Sequence, residues 1–152
     1  MKRIVLAAFI VIAVLMLAAC GGPREVLSAE EFTSRMGAEG YTVEDFTHYV
    51  ADDLFIETFL SVDTGAFEVE FYVFESEEDA MMLFHHVRGI FEDAKGSTRS
   101  HTEVNIANFN RFRQTTDGRF EALTRVENTL VIVQSSSENR GDVNAIFDLL
   151  GY

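Results

Sequence analysis

The sequence contains a single cysteine, Cys20, close to its N-terminus. One cysteine excludes an intrachain disulfide, and with Cys20 modified the folded part has no thiol for catalysis or for a thiolate metal site. A domain without such crosslinks depends on a hydrophobic core. Apolar residues make up 47% of the 152 residues, and a chain of this length predicts one domain of ordinary size rather than two.

Basic residues are scarce in this chain. Twelve Lys and Arg stand against 25 Asp and Glu, which gives a formal net charge of −13. A surface of this sign repels the phosphates of nucleic acids and the headgroups of anionic lipids. The composition therefore argues against DNA or RNA as a partner, and it predicts that any membrane attachment comes from a lipid rather than from surface charge.

The chain also lacks a hydrophobic run long enough for a permanent membrane span. Its apolar run from Ile4 to Leu17 covers about 14 residues, or ~21 Å as a helix, against a hydrocarbon core of ~30 Å. Lys2 and Arg3 precede the run, and Leu17-Ala18-Ala19-Cys20 ends it. This order is typical of a secretory signal peptide with a lipobox. An uncleaved N-terminal anchor helix is the alternative.

The lipobox divides the chain into a signal peptide at residues 1–19, a short tether at residues 20–27 and a single domain at residues 28–152. Its resemblance to bacterial lipoproteins implies a thioether-linked diacylglyceryl group on Cys20, the first mature residue, and no other cofactor is predicted. Loss of Lys2 and Arg3 leaves ten basic against 25 acidic residues, so the mature charge is −15. Eight residues of tether reach ~28 Å at most. We therefore expect a lipid-anchored domain at the extracytoplasmic face of the cell membrane.

Three segments have the features of helices. Ser28 and Ser76 are each followed three residues later by an acid, a pattern typical of helix N-caps. The first helix is predicted to end near Glu39 with Phe32 and Met36 inward. The second carries an apolar stripe at helical spacing, formed by Ala80, Leu83, Phe84, Val87, Ile90, Phe91 and Ala94. The third begins near residues 139–142 and buries Val143, Ile146, Phe147 and Leu150.

Between the helices the apolar residues alternate with polar ones, which predicts strands at residues 55–62, 67–75, 101–114, 119–126 and 129–135. The segment Thr115 to Gly118 suits a type I turn with Gly118 in a bulge, and Glu127-Asn128 suits a two-residue turn. The order α-ββ-α-βββ-α predicts an α+β fold. We expect a two-layer sandwich with an antiparallel sheet of about five strands and helices on one face.

Several short motifs together resemble a class of small Gram-positive bacterial lipoproteins with no assigned role. They are Leu17-Ala18-Ala19-Cys20-Gly21-Gly22, Gly40-Tyr41, Phe71-Tyr72-Val73-Phe74, Val126-Glu127-Asn128-Thr129-Leu130 and Leu150-Gly151-Tyr152. The resemblance spans nearly the whole mature chain. It implies a single lipid-anchored α+β domain, and it supplies no catalytic residues.

One candidate binding surface follows from the expected register. With Gly118 as a bulge, Arg113 lies opposite Glu121 and Arg111 lies opposite Leu123. Four arginines then surround an exposed apolar spot on one side of the sheet. The surface consists of Arg111, Arg113, Arg119, Leu123, Arg125, Leu130 and Ile132. Apolar patches rimmed by arginine are favoured at protein interfaces.

Other interpretations of the same residues stay open. Glu68 and Glu70 could neutralise Arg111 and Arg113 and leave an ordinary solvated sheet face. His85 with Met81, Met82 and Glu78 could bind a soft metal ion, although an exposed helix face is the simpler interpretation and no metal site is assigned. Arg140-Gly141-Asp142 matches an adhesion tripeptide that recurs easily by chance.

The function predicted from sequence is a non-enzymatic, lipid-anchored, extracytoplasmic binding module, held at the membrane by its anchor, with an envelope protein as a possible partner. No nucleophile elbow, phosphate-binding glycine loop or metalloprotease helix motif occurs in the sequence. The alternative is a lipoprotein of the cell envelope that binds a small ligand or a metal.

Overall fold

A computed structural model describes residues 23–50, 55–94, 96 and 98–152. The predicted signal peptide and Cys20 lie outside these residues. Within these residues three helices are present, α1 (Ala29–Ala38), α2 (Glu77–Asp93) and α3 (Arg140–Leu150). The strands are β1 (Glu44–Asp45), β2 (Ile56–Asp63), β3 (Glu68–Phe74), β4 (Thr98–Ile106), β5 (Phe109–Thr116), β6 (Arg119–Val126) and β7 (Thr129–Ser136). Short 3₁₀ turns lie at Thr47–Tyr49 and Ser137–Asn139.

The seven strands form one antiparallel sheet in the order β1-β2-β3-β7-β6-β5-β4. Two meanders, β1 to β3 and β4 to β7, meet where β7 pairs with β3. Helix α2 connects them. The α+β class is confirmed. The predicted strand count was too low, because the single strand expected at residues 101–114 is two strands joined at Ala107-Asn108, and because β1 was not predicted.

The helices begin and end where their caps predict. Ser28 forms a capping box with Glu31, and the Ser76 hydroxyl accepts the backbone N–H of Asp79. Helix α3 starts with Arg140, so the Arg140-Gly141-Asp142 tripeptide forms its first turn, and it ends at Gly151 in the left-handed conformation. Two residues of the predicted α2 stripe are misplaced, since Ile90 is exposed and Ala94 is exposed at the C-cap just after the helix.

Helices cover both faces of the sheet, not one. Helices α1 and α3 pack on the first face, where Phe32, Met36 and Phe147 meet Phe71 and other inward residues of the central strands. Helix α2 packs on the second face through Ala80, Phe84 and Phe91. The expected two-layer sandwich is therefore wrong in layer number. Strands β6 and β7 carry apolar side chains on both faces, so helices must pack on each face to bury them.

Candidate functional site

The four arginines of the predicted surface do not share a face. Asp117 and Gly118 both have positive φ and form a two-residue turn, so Thr116 pairs with Arg119. The bulge expected at Gly118 is absent, and the register shifts by one residue. Arg111 pairs with Thr124 and Arg113 pairs with Ala122, on the face of α1 and α3. A one-residue shift moves these side chains to the opposite face of the sheet.

The apolar centre of the predicted surface is buried. Leu123 and Leu130 have no exposed surface, and Ile132 is 6% exposed, because α2 covers all three. The sequence correctly predicted that these three side chains point away from α1 and α3. The expectation that this side of the sheet is exposed to solvent was wrong. The predicted patch of Leu123, Leu130 and Ile132 ringed by arginines therefore does not exist as a surface.

The other two predicted arginines lie on the α2 face. Arg119 is exposed, and its Nη2 donates to the Ala94 carbonyl at 3.2 Å. Arg125 is fully buried. Its Nε donates to Asn110 Oδ1 at 2.7 Å, and its Nη1 donates to Glu77 Oε1 at 3.0 Å and to the Glu127 carbonyl at 2.6 Å. Arg125 thus joins the start of α2 to strands β5 and β6 and has no free surface for a partner.

Arg111 and Arg113 belong instead to a group of cations that sequence reasoning did not assemble. Arg24 and Arg140 join them on the face of α1 and α3. We call Arg24, Arg111, Arg113 and Arg140 the arginine cluster. Neither Arg24 nor Arg140 lies on a strand, so strand periodicity contains no signal for either. Only the folding of the N-terminal segment and of α3 onto the sheet brings them there.

Aromatic rings hold the guanidinium groups of the arginine cluster in place. The Arg24 guanidinium carbon lies 4.0 Å from the ring centroid of Phe109, and that of Arg111 lies 5.9 Å from the same centroid. Arg113 lies 4.0 Å from the ring of Phe147 on α3. Arg140 lies 5.4 Å from the Phe120 ring. Such contacts stabilise a cation without neutralising it, so the positive charge of the cluster is retained.

No carboxylate of the described residues forms an ion pair with the arginine cluster. Among the ion pairs of the described residues, the arginines involved are Arg88 and Arg125, and no cluster member takes part. Arg111 Nε and Arg113 Nη1 are buried and have no hydrogen-bond partner within the described part of the chain. In a chain with 25 acidic residues, four clustered arginines without a paired acid are unusual. Their charge is therefore not balanced by an ion pair within the described residues.

The charges of the arginine cluster act on one another. Burial, followed by the nearby charge of Arg111, lowers the pKa of Arg113 to about 10, with Arg140 and Arg24 adding to the effect and Asp148 opposing it. Burial, again followed by Arg111, also lowers the pKa of Arg24. Both residues remain protonated at neutral pH. An anion placed among them relieves this repulsion.

Arg24 is fixed to the domain by backbone and side-chain contacts. Its backbone N–H donates to Asn108 Oδ1 at 3.2 Å, and Asn108 Nδ2 donates back to the Arg24 carbonyl at 2.9 Å. Its Nη1 donates to the Gly151 carbonyl at the end of α3 at 3.0 Å. These contacts place the start of the described chain beside the turn between β4 and β5, next to Arg111.

Acidic side chains collect on the opposite face of the sheet. The register places Glu68 and Glu121 on either side of Gln134, on the α2 face. Glu70 lies on that face too, and burial raises the pKa of its carboxyl. Glu68 and Glu70 therefore do not neutralise Arg111 and Arg113, and the solvated, charge-balanced face considered from sequence is wrong as well. These acids and the arginine cluster therefore lie on opposite faces of the sheet.

The methionine and histidine group on α2 forms a shallow surface depression. Glu77, Glu78, Met81, Met82 and His85 line it. Across the part of the chain that the structure describes, no group of three or more His, Cys, Asp or Glu side chains has an arrangement that could hold a metal ion. Within the same part of the chain, every helix is too short or too polar to cross a membrane.

The fold has a counterpart among solved structures. The sequence matches no protein-family model and no curated protein. The crystal structure of a GTP binding regulator from Thermotoga maritima aligns with a TM-score of 0.50 and 17% identity, over 85% of this chain and 91% of that chain. At this identity the similarity concerns the fold alone, and it supports the α+β architecture.

Proposed function

We propose that this chain is a non-enzymatic, lipid-anchored binding module at the extracytoplasmic face of the cell membrane, and that it binds an anionic partner through the arginine cluster. The anchor is the diacylglyceryl group expected on Cys20. The observation that carries the binding half of the proposal is a set of four arginines on one face that form no ion pair with any carboxylate in the described part of the chain.

The physical properties of the cluster suit an anion. Guanidinium groups donate two parallel hydrogen bonds to carboxylate or phosphate, and they are less strongly hydrated than ammonium groups. The rings of Phe109 and Phe147 orient two of the cluster arginines. Orientation before binding lowers the entropy cost of ordering long side chains. The net charge of the chain predicts repulsion of anions at long range, whereas contact with this face is attractive.

The anchoring half of the proposal is tested by intact-mass analysis of the protein isolated from the membrane fraction. We expect a mature N-terminus at Cys20 with an added diacylglyceryl mass. The Cys20→Ala chain is the control, and it should stay unprocessed. A native protein recovered unlipidated, with residues 1–19 still attached, overturns this half of the proposal.

The binding half is tested on a sulfonate cation-exchange column at pH 7 and low salt, with the mature protein in non-ionic detergent. A protein of net charge −15 is expected to pass unretained unless a local cationic face contacts the resin. We expect the parent to be retarded and Arg111→Gln/Arg140→Gln to elute in the void. The matched control Arg88→Gln/Arg119→Gln removes two charges from the other face and should elute like the parent. An unretarded parent overturns the cluster as an anion site.

A further inference from the structure

We propose that the anion bound by the arginine cluster is the phosphate of anionic phospholipids in the membrane that carries the anchor, so that the outer part of this face, where Arg24, Arg111 and Ile106 lie at β4 and β5 beside α3, is against the bilayer. This inference rests on the proposed anchoring through Cys20. It adds an orientation to the anchor: one defined face of the domain meets the membrane.

Chain length restricts how far the cluster can lie from the anchor. Arg24 follows Cys20 by four residues, so the two Cα atoms are at most ~14 Å apart. Arg24 is held to Asn108 and to Gly151, so the restriction applies to the folded domain and not only to a loose tether. The turn between β4 and β5 and the end of α3 therefore lie close to the headgroups. Other faces of the domain have no comparable restriction.

An exposed apolar side chain lies at the same end of the domain. Ile106, the last residue of β4, is 57% exposed and pairs with Phe109, whose ring carries Arg24 and Arg111. An apolar side chain between cations is the arrangement that peripheral membrane proteins insert at the boundary of headgroups and acyl chains. Ile106 thus lies where the proposed orientation places the membrane interface.

The distribution of charge selects this face over the others. Anionic lipids attract basic residues within a Debye length of the surface and repel acidic ones. Asp148, Glu127 and Glu25 are acids near the cluster, but none forms an ion pair with it in the described part of the chain. The α2 face carries Glu68, Glu70 and Glu121. An anionic bilayer therefore attracts Arg24 and Arg111, which lie next to the anchored end of the chain and form no ion pair among the described residues.

The experiment uses the absence of tryptophan from this chain. Ile106→Trp places a fluorophore on the proposed membrane face, and Met82→Trp places one on α2, where the native side chain is equally exposed at 56%. Each mature lipoprotein is reconstituted into phosphatidylcholine vesicles with or without phosphatidylglycerol. Both vesicle types contain the same fraction of brominated phosphatidylcholine, which quenches tryptophan that enters the interface.

We expect phosphatidylglycerol to increase quenching of Trp at position 106 by about two-fold and to leave Trp at position 82 unchanged. Arg24→Gln/Arg111→Gln should remove the increase, with Arg111→Gln/Arg140→Gln as a second variant in case loss of the Arg24 contacts unfolds the end of α3. The control Arg88→Gln/Arg119→Gln should behave like the parent, and circular dichroism confirms folding of each variant.

Flotation separates this inference from the proposed anchoring. Protein that floats with neutral vesicles but shows equal quenching at positions 106 and 82 overturns the orientation and leaves the anchor intact. Protein that floats only with phosphatidylglycerol vesicles, in a cluster-dependent way, overturns the anchor and supports headgroup binding. Protein that floats with neither overturns both.

Two further outcomes assign the cluster to another anion. If phosphatidylglycerol does not increase the quenching, while inorganic phosphate raises the melting temperature of the parent more than chloride does at the same ionic strength and has no such effect on Arg111→Gln/Arg140→Gln, the cluster binds free phosphate and the headgroup inference is wrong. If Trp at position 106 stays unquenched in anionic vesicles while the anchored protein crosslinks to an acidic envelope protein, that protein is the occupant and the inference is again wrong.

Discussion

Arginine has two different roles in this protein, and the face of the strand determines which one. Arg125 is buried on the α2 face, where Asn110, Glu77 and a backbone carbonyl accept its hydrogen bonds. Arg113 lies on the other face, stacked on Phe147, and forms no ion pair among the described residues. The first arginine contributes to the architecture of the domain. The second belongs to the proposed anion site, although both residues come from neighbouring strands of one hairpin.

Glu70 provides a prediction at the same scale. Burial raises the pKa of its carboxyl above the ordinary value of 4.5, while the hydrogen bond from Tyr72 opposes the shift. The folded state therefore holds this proton more tightly than the unfolded state, and stability falls as pH rises from the ordinary pKa through the raised one. We expect Glu70→Gln to raise the melting temperature at pH 7 and to change it little at pH 4.

The control for Glu70 is Glu57→Gln, which alters an exposed carboxyl on the adjacent strand β2. Thermal melts of both variants at the two pH values compare them directly. A gain for Glu70→Gln that is the same at pH 4 and pH 7 would contradict a titration-based cause, and an equal gain for Glu57→Gln would show that the effect is not specific to burial.

At the scale of elements, one turn determines which side chains share a face. Asp117-Gly118 is a sequence favoured in two-residue hairpin turns, and the structure uses it as one, with φ of 46° and 81°. The alternative considered from sequence, a type I turn with a bulge, fits the same residues and differs by one position in register. Local preference did not separate the two, because the choice also depends on which side chains α2 and α3 bury.

Two glycine-to-alanine substitutions compare the backbone conformation of this turn with that of a helix interior. Gly118→Ala places a Cβ on a residue at φ +81°, where space is open but the backbone conformation is unfavourable, so we expect a loss of about 1 kcal/mol. Gly89→Ala changes a glycine inside α2 with no atom near the new Cβ, so we expect a gain of about 1 kcal/mol. Urea unfolding measures both. A shift of both variants in the same direction would show that space rather than backbone conformation controls the effect.

At the scale of the whole molecule, the central strands are covered on both sides and the charges are divided between the faces. Strands β6 and β7 lie in the middle of the sheet, and 12 of their 16 residues are buried. The arginine cluster lies over β5 beside α3, whereas the buried and half-buried acids lie on the α2 face. The net charge of the whole chain therefore describes neither face. The proposed anion binding depends on how the charged side chains are distributed between the two faces.

Helix α2, as a third layer over the sheet, predicts how two substitutions change the stability of the domain. The sequence-based interpretation placed Leu130 and Arg125 at a surface, where substitution by glutamate would leave folding intact. In the structure both are fully buried beneath α2. We expect Leu130→Glu to cost more than about 4 kcal/mol, because it places an unpaired carboxylate in the core. Circular dichroism melts measure this loss, and Arg125→Glu should be similarly disruptive.

The control for Leu130→Glu is Met82→Glu, which introduces the same charge on the exposed side of α2. It should melt within a few degrees of the parent. A Leu130→Glu protein that melts like the parent would mean that α2 does not cover this part of the sheet, and it would restore the surface predicted from sequence.

Much of the fold was predictable because it depends on local signals. Ser28 and Ser76 mark the starts of two helices through their caps, and the apolar spacing of Val143, Ile146 and Phe147 identifies the inner side of α3. Residues 101–114 were not divided into two strands, because Ala107-Asn108 contains no glycine or proline to indicate a turn. Apolar residues on both sides of β6 and β7 did indicate a second cover, but periodicity does not specify which helix supplies it.

The sequence by itself determined the α+β class, the positions of the three helices, the acidic character of the chain and the pattern that predicts an anchor at Cys20. These depend on composition and on neighbours a few residues apart. Only the tertiary structure decided that α2 lies opposite α1 and α3, that Arg125 is buried, and that Arg24 and Arg140 join Arg111 and Arg113. Those arrangements depend on contacts between distant segments, and a register difference of one residue is enough to exchange the two faces of a strand.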